Sequence, residues 1–402
     1  MRTNGFALFR GPDSRDRAEE AVARVSRQNR SILFSFGSGG VEDQLRGGDC
    51  LVAYSLEEKG GLFFPVVHGF AEERGDIDDR EPHGEFAFVT EGNGRILAGR
   101  DSLGTRALYI DEGRTCVASD HRLFPQRPAL LSRGVRIELG SGEQRTVKLE
   151  RQPEVQGTEE EAAGRLCTLL EESVARRVKG RRRVAVSFSG GLDSSLLALL
   201  AARHAEVVLC SAYTESSTDH GHTEKTAESL GLEHRGALID GADAAEVVRS
   251  LDLPFAPGPM DMALWCLFST TSKLARENGA ELILLGQLAD ELFGGYMKYT
   301  LEARKDEVSA IRMMEHDVAA SANGAFIRDE LACSRFIEVR FPFADDGVAG
   351  FGLALPLAYK IRGGERKAIL RTAASMLGLP EEIVRAPKKA AQYSSGLSKL
   401  FR

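Results

Sequence analysis

Paired cysteines are the first thing missing from this 402-residue chain. Its six cysteines, Cys50, Cys116, Cys167, Cys210, Cys266 and Cys333, form no CxxC pair, which argues against a zinc ribbon or a thioredoxin-like site. Several sit among apolar neighbours, Cys210 within VVLCSA and Cys266 within LWCLF, and read as buried free thiols. No apolar run reaches the roughly 20 residues that cross a bilayer. The opening MRTNGFALFR has no apolar core of signal-peptide length ahead of a small-residue cleavage site. A cytoplasmic protein without a membrane partner is the expectation. Positive charge is in deficit too: a net charge of −7 argues against a general affinity for nucleic acid, though a local basic patch could still bind RNA. Internal repeats and low-complexity tracts are absent.

What is present is an ordinary globular composition, 43% hydrophobic and 28% charged, on a chain long enough for two domains. Residues 1 to about 150 read as short strands broken by glycine turns: ILFSFG, CLVAY, GLFFPVVHG, GEFAFVTEGNGRILAG and ALYIDEGRTCVAS. The clearest hairpin runs from Gly84 to Arg100, with Gly92-Asn93-Gly94 supplying the positive φ of a tight turn. This half is predicted to be mainly antiparallel β-structure. The polar tract KLERQPEVQG at 148–157 reads as a linker. Thr158 and Glu161 then form a capping box that opens a helix through about Val178, with Leu166, Leu169, Leu170, Val174 and Val178 on one face.

From there the periodicity is α/β. Strand RVAVSF, a helix through LLALLAARH, strand EVVLCSAY, helix TEKTAESLG, a proline-rich loop, helix 261–278 and strand ELILLG follow in turn. Alternation of this length predicts a parallel, doubly wound sheet with ligands at the strands' C-terminal ends.

The strongest motif is Ser189-Gly190-Gly191-Leu192-Asp193-Ser194-Ser195, directly after a strand and before a helix. Its glycines let backbone N–H groups approach a phosphate chain, and the helix N-terminus adds partial positive charge. The three serine hydroxyls donate further bonds, and Asp193 reads as a magnesium ligand. GxxxxGK[ST] is absent, so this is not a Walker A loop. A second fragment, Leu285-Gly286-Gln287-Leu288-Ala289-Asp290-Glu291-Leu292-Phe293-Gly294-Gly295-Tyr296, follows another buried strand. Asp290 could face Asp193 across the switch point, and two converging carboxylates favour a hard cation.

The first motif resembles the SGGxDS signature of the N-type ATP pyrophosphatases. The second resembles the SGxGADEVFGGY region of glutamine-dependent asparagine synthetases and of their β-lactam synthetase relatives. Further matches arrive in order. Ile337-Glu338-Val339-Arg340-Phe341-Pro342-Phe343-Ala344-Asp345 resembles VEARVPFLD, and Arg366-Lys367-Ala368-Ile369-Leu370-Arg371 resembles the KxILR helix. Arg385-Ala386-Pro387-Lys388-Lys389, followed by Gln392-Tyr393, resembles the catalytic-lysine segment. In the first half, Gly84–Phe88 and Ala98–Tyr109 resemble the DGMFAF and ARDPLGxRPLYY segments of class II glutaminases.

The resemblance implies an Ntn-type glutaminase-like domain over 1–150 and an asparagine synthetase-like ATP pyrophosphatase domain, with a helical C-terminal part, over 158–402. It implies ATP and Mg2+ as cofactors, the metal held by Asp193 and Asp290. The nucleotide would lie against Phe188, Ser189, Gly190, Gly191, Leu192, Ser194, Ser195, Ala212, Leu285 and Gly286. Lys388, or else Lys389, would cover the reacting phosphate or the later oxyanion. A carboxylate, aspartate by default, would be adenylated and passed to an amine such as ammonia. The oligomeric state stays open, a homodimer included.

Two departures qualify this. Class II glutaminases use an N-terminal cysteine; position 2 here is Arg2, and Gly37-Ser38-Gly39-Gly40 replaces the Asn-Gly-Glu substrate loop, so glutamine hydrolysis is not expected. Thr3 could serve as nucleophile only after loss of two residues. Gln287 stands where the asparagine synthetases carry a glutamate and the β-lactam synthetases a tyrosine, and an amide cannot act as a general base. Three readings follow: an ammonia-dependent asparagine synthetase-like ligase, a ligase of the same mechanism on another substrate (an intramolecular amide, or an RNA or protein), and a catalytically silent nucleotide-binding protein. The basic run Arg176, Arg177, Lys179 and Arg181–Arg183 is expected to be a solvated helix end. Asp219, His220, His222 and Glu224 have poor spacing for a zinc site.

Overall fold

The structure, a computed structural model, describes residues 2–3, 5–10, 16–18, 20–21, 33–38, 50–56, 66–71, 84–92, 95–151, 157–215, 217, 219–386 and 395–401. The chain forms two compact units, Met1–Leu149 with Ala322–Ile327, and Glu150–Ser321 with Arg328–Arg402.

The first unit is built on strands β1 (Arg2–Thr3), β2 (Gly5–Arg10), β3 (Leu33–Ser38), β4 (Cys50–Leu56), β5 (Val66–Ala71), β6 (Gly84–Gly92), β7 (Arg95–Arg100), β8 (Tyr109–Ile110), β9 (Cys116–Ala118), β10 (Ala129–Leu130), β11 (Val135–Leu139) and β12 (Gln144–Thr146). They make two six-stranded sheets, in the orders β1-β5-β6-β7-β11-β12 and β10-β8-β9-β2-β4-β3. Most pairs are antiparallel, but β1 runs parallel to β5, and β4 runs parallel to both β2 and β3. Leu8, Ala87, Val89, Ala98, Leu108, Val117 and Ile137 form the buried core.

The hairpin read from the sequence is β6–β7, its last pair Gly92 with Arg95; the turn residues Asn93 and Gly94 lie outside the described residues. Asp101 organises the bend that follows. Its carboxylate accepts from the N–H groups of Phe86 (3.1 Å), Leu103 (3.0 Å) and Thr105 (3.0 Å) and from the Thr105 hydroxyl (2.6 Å). Arg100 donates to the carbonyls of Arg106, Leu131 and Gly104, each at 2.6 Å, and to that of Ala322 at 2.9 Å. This last bond ties Ala322–Ile327 into the first unit.

The second unit opens with helix α1 (Glu159–Val178), capped as its sequence dictates. The Glu161 N–H donates to the Thr158 hydroxyl at 3.2 Å, and the Thr158 N–H to the Glu161 carboxylate at 2.8 Å. Leu166, Leu170, Val174 and Val178 are buried, while Leu169 is half-buried. The sheet has strands β13 (Arg183–Ser187), β14 (Glu206–Tyr213), β15 (Glu233–Leu238), β16 (Leu282–Leu284) and β17 (Glu338–Arg340), all parallel, in the order β15-β14-β13-β16-β17. The order reverses between β13 and β16, so their C-terminal ends open a crevice there. Helices α2 (Leu192–Ala201), α3 (Asp219–Leu230), α4 (Pro259–Glu277) and α5 (Ala289–Phe293) link the strands. Helices α6 (Asp346–Ala354) and α7 (Ala368–Met376) belong to the helical part beyond β17.

The basic run is only in part a solvated helix end: Lys179 and Arg182 are exposed, but its other members are paired. Arg177 is fully buried and meets Asp345 at 3.0 Å, Arg176 reaches the same carboxylate at 2.8 Å, and Arg181 meets Glu338 at 3.1 Å. Arg183 pairs with Glu206 and Glu233. Of the two lysines assigned to catalysis, both Lys388 and Lys389 lie outside the described residues. No helix among the described residues is long and apolar enough to cross a membrane.

Candidate active site

The glycine loop leaves β13 at the switch point. Gly190 takes φ +69° and Gly191 is extended as the N-cap of α2. A side chain at 190 would lie 3.0–3.1 Å from the ring of His222 on α3, so glycine is favoured here by its φ, with little room to spare beside it. The loop's own polar contacts are long. Ser189 and Ser194 hydroxyls stand 3.3 Å apart, the Ser189 N–H reaches Ser194 Oγ at 3.3 Å, and the Gly191 N–H reaches Ser189 Oγ at 3.4 Å. Bonds at that limit are weak, leaving these donors available to a better acceptor. Ser195 differs: its hydroxyl is buried inside the packing of α2. Phe188, Ala212 and Leu285 are also buried, Phe188 edge-on to His234, so what they offer a ligand is backbone.

The second fragment leaves β16 through a turn in which Leu288 adopts φ +74°, with Gln287 half-buried beside it. That turn starts α5 and presents Asp290. Gly286 approaches the β-carbon of Asp193 so closely that an added Cβ would stand 3.3 Å away.

Asp193 and Asp290 do converge, and they converge on a cation that sequence reasoning missed. Lys367 Nζ lies 2.6 Å and 2.7 Å from the two oxygens of Asp193 and 2.7 Å from Asp290 Oδ1. Its side chain is 1% exposed. Burying an ammonium is costly unless it is paired, and here it meets two carboxylates. Lys367 is the N-cap of α7 and takes φ +60°, an uncommon choice for a residue with a side chain. Its place is set by neighbours: Arg371 Nε donates to the Arg366 carbonyl at 3.0 Å, and Arg366 donates to the Gly295 carbonyl at 2.9 Å. The sequence did carry a signal, since Lys367 falls in the stretch that resembles the KxILR helix, but no role followed from it.

The paired glycines have separate duties. Gly294, at φ +75°, ends α5. A Cβ on Gly295 would stand 1.8 Å from Asp290 Oδ1 and 2.5 Å from Lys367 Cε, so it makes room for the charged cluster. Glu291 lies behind. Burial, reinforced by the charge of Asp290, pushes its carboxyl up to about 7, and Tyr296 donates to it at 2.9 Å.

The chain on either side of the lysine segment is held close by. Arg371 donates to the carbonyls of Val384 and Ala386. The Thr214 N–H, at the end of β14, donates to the Ser395 carbonyl at 2.9 Å. The side chains of Asp219 and His220 lie outside the described residues, and no metal-binding group of three or more His, Cys, Asp or Glu occurs among those described.

The asparagine synthase family profile matches residues 165–332 and 313–401, more than half of the chain. The chain belongs to the asparagine synthase family. A Methanocaldococcus jannaschii protein provisionally named asparagine synthetase [glutamine-hydrolyzing] 1 is 32% identical over 283 residues, 60% of this chain and 51% of that one. The asparagine synthetase [glutamine-hydrolyzing] of Gallus gallus is 24% identical over 245 residues, 57% of this chain and 42% of that one. The chain thus matches about half the length of these curated relatives. Among solved structures, NMN synthetase from Francisella tularensis gives a TM-score of 0.33 at 14% identity, over 59% of this chain and 77% of that one. The SGGLDSS loop and Asp290 fall inside the matched region.

Proposed function

We propose that this member of the family is an AMP-forming amide ligase that adenylates a carboxylate, aspartate being the first candidate, and transfers the acyl group to an amine, ammonia by default. The observation that carries the reading is the meeting of Asp193 and Asp290 on one cation beside the glycine loop, at the switch point of a parallel sheet.

An all-carboxylate donor pair suits a hard divalent ion, and Asp193 and Asp290 would hold magnesium together with phosphate oxygens. Bound there, the ion would neutralise charge developing on the departing pyrophosphate. The chain's own residues do the rest. The Gly190 and Gly191 amides and the start of α2 receive the β- and γ-phosphates. Ser189 and Ser194 exchange their long mutual contacts for phosphate oxygens. The backbones of Phe188, Ala212, Leu285 and Gly286 border the adenine. A substrate carboxylate oxygen bonds to the α-phosphorus as its bond to the bridging oxygen breaks, releasing pyrophosphate. Lys388, or Lys389, steadies the charge on that phosphorus. The amine nitrogen then bonds to the acyl carbon, the carbon–oxygen bond to AMP breaks, and one proton leaves the nitrogen. Gly37 and Ser38 end strand β3 rather than forming a loop, and Gly37-Ser38-Gly39-Gly40 offers no Asn-Gly-Glu segment, which supports free ammonia over glutamine as donor.

Gln287 favours a second substrate class for the same chemistry. An amide there cannot take the proton, which suits a nucleophile that needs no base, such as an amine within the substrate. An ATP–pyrophosphate exchange screen over candidate acids tests both. The expected outcome is aspartate-dependent exchange, with AMP and asparagine appearing together when ammonium is added. Exchange with another acid and none with aspartate gives the site to the second class. Nucleotide binding without exchange for any acid would leave a silent nucleotide-binding protein.

A further inference from the structure

Lys367 occupies the position between the two carboxylates that a divalent ion would need. Its ammonium lies 2.6–2.7 Å from three carboxylate oxygens, and its stem is buried against Gly295. A magnesium ion about 2.1 Å from those same oxygens would stand within roughly 3 Å of the ammonium. The two cations cannot share the pair at that distance in a buried site. The lysine can withdraw only if Nζ finds another anionic partner, and an incoming triphosphate brings one.

We infer that Lys367 is a resident counter-cation, which keeps free divalent metal out of the Asp193–Asp290 pair until nucleotide arrives. Metal and nucleotide therefore enter together, each raising the other's affinity. Lys367 acts here as a positioning residue, holding the carboxylates in place while no metal is bound. The inference rests on the reading of Asp193 and Asp290 as metal ligands.

The test is metal uptake by the full chain, using Mn2+ as probe and following the loss of its free-ion electron paramagnetic resonance signal. Wild type without nucleotide should show no saturable site in the millimolar range. With α,β-methylene-ATP it should take up one ion that the nucleotide alone does not hold. Lys367→Met should take up one ion without nucleotide, at least about tenfold more tightly than wild type, and adding Asp193→Asn should abolish that uptake. Lys367→Arg, which keeps the charge, should behave as wild type. Wild type that binds one ion equally well with and without nucleotide would overturn the counter-cation role while leaving the metal site standing. So would a folded Lys367→Met that binds no ion alone when wild type binds one with nucleotide. No uptake in any arm would overturn the metal site itself, and the inference with it. If Lys367→Met does not fold, Lys367→Gln takes its place in every arm, with the same expected and contrary results.

Discussion

At the scale of single residues, Gly295 is the most exacting position in the cluster. A methyl group there would meet Asp290 Oδ1 at 1.8 Å and Lys367 Cε at 2.5 Å, so Gly295→Ala must displace one or both charged groups. A displacement of about 1 Å in such a site costs on the order of 10²-fold in rate. Pyrophosphate exchange should fall by that much, with the circular dichroism spectrum unchanged; retained exchange would remove the cluster from the chemistry. Substitution at Gln287 probes the two proposed half-reactions separately. Gln287→Glu should leave exchange nearly intact and, with ammonia as the true donor, raise asparagine formation by about 10²–10⁴-fold by restoring a base. Should wild type and variant both adenylate aspartate and neither yield asparagine, ammonia is the wrong donor. The sequence made Asp193 and Asp290 legible because each closes a local strand–loop–helix pattern. Lys367 stood out only as part of the KxILR-like stretch; its pairing was not legible, because folding alone brings it 174 positions back to Asp193.

Among the elements, α1 is held at its C-terminal end by a buried ion pair. Arg177 is fully buried against Asp345, whose carboxylate also accepts from the Gly347 N–H at 3.0 Å at the start of α6. Asp345→Asn strands a buried guanidinium, a loss of about 3–5 kcal/mol by urea denaturation at neutral pH. Burial pushes the Asp345 carboxyl up, but Arg177 and Arg176 outweigh it and hold the group below its ordinary 3.8. The contribution is therefore complete above 3.8 and fades as pH falls through the lower folded value. Wild type should lose its advantage over the variant only in strong acid; an equal gap at every pH would refute the pairing. The same contacts explain a misreading. Arg176 and Arg177 looked solvated because their partner stands 169 and 168 positions away. Edge strand β15, EHRGAL, was passed over because half-exposed polar residues carry no apolar alternation. The capping box and RVAVSF were readable because their patterns close within a few residues.

For the whole molecule, the chain passes between the two units three times: near 149–150, 321–322 and 327–328. A protease cut within 150–157 should therefore yield two fragments that co-elute under native conditions and part only in denaturant. The C-terminal fragment still contributes Ala322–Ile327 to the first unit, where Arg100 grips Ala322. Fragments that separate without denaturant would contradict this. The excursion at Ala322–Ile327 also bears on how such a gene can be rearranged. A recombination event that exchanges everything before residue 150 would import a β-rich partner while leaving one of its pieces embedded in the old sequence, downstream. An exchange of that kind would have to carry Ala322–Ile327 with it to keep the first unit whole.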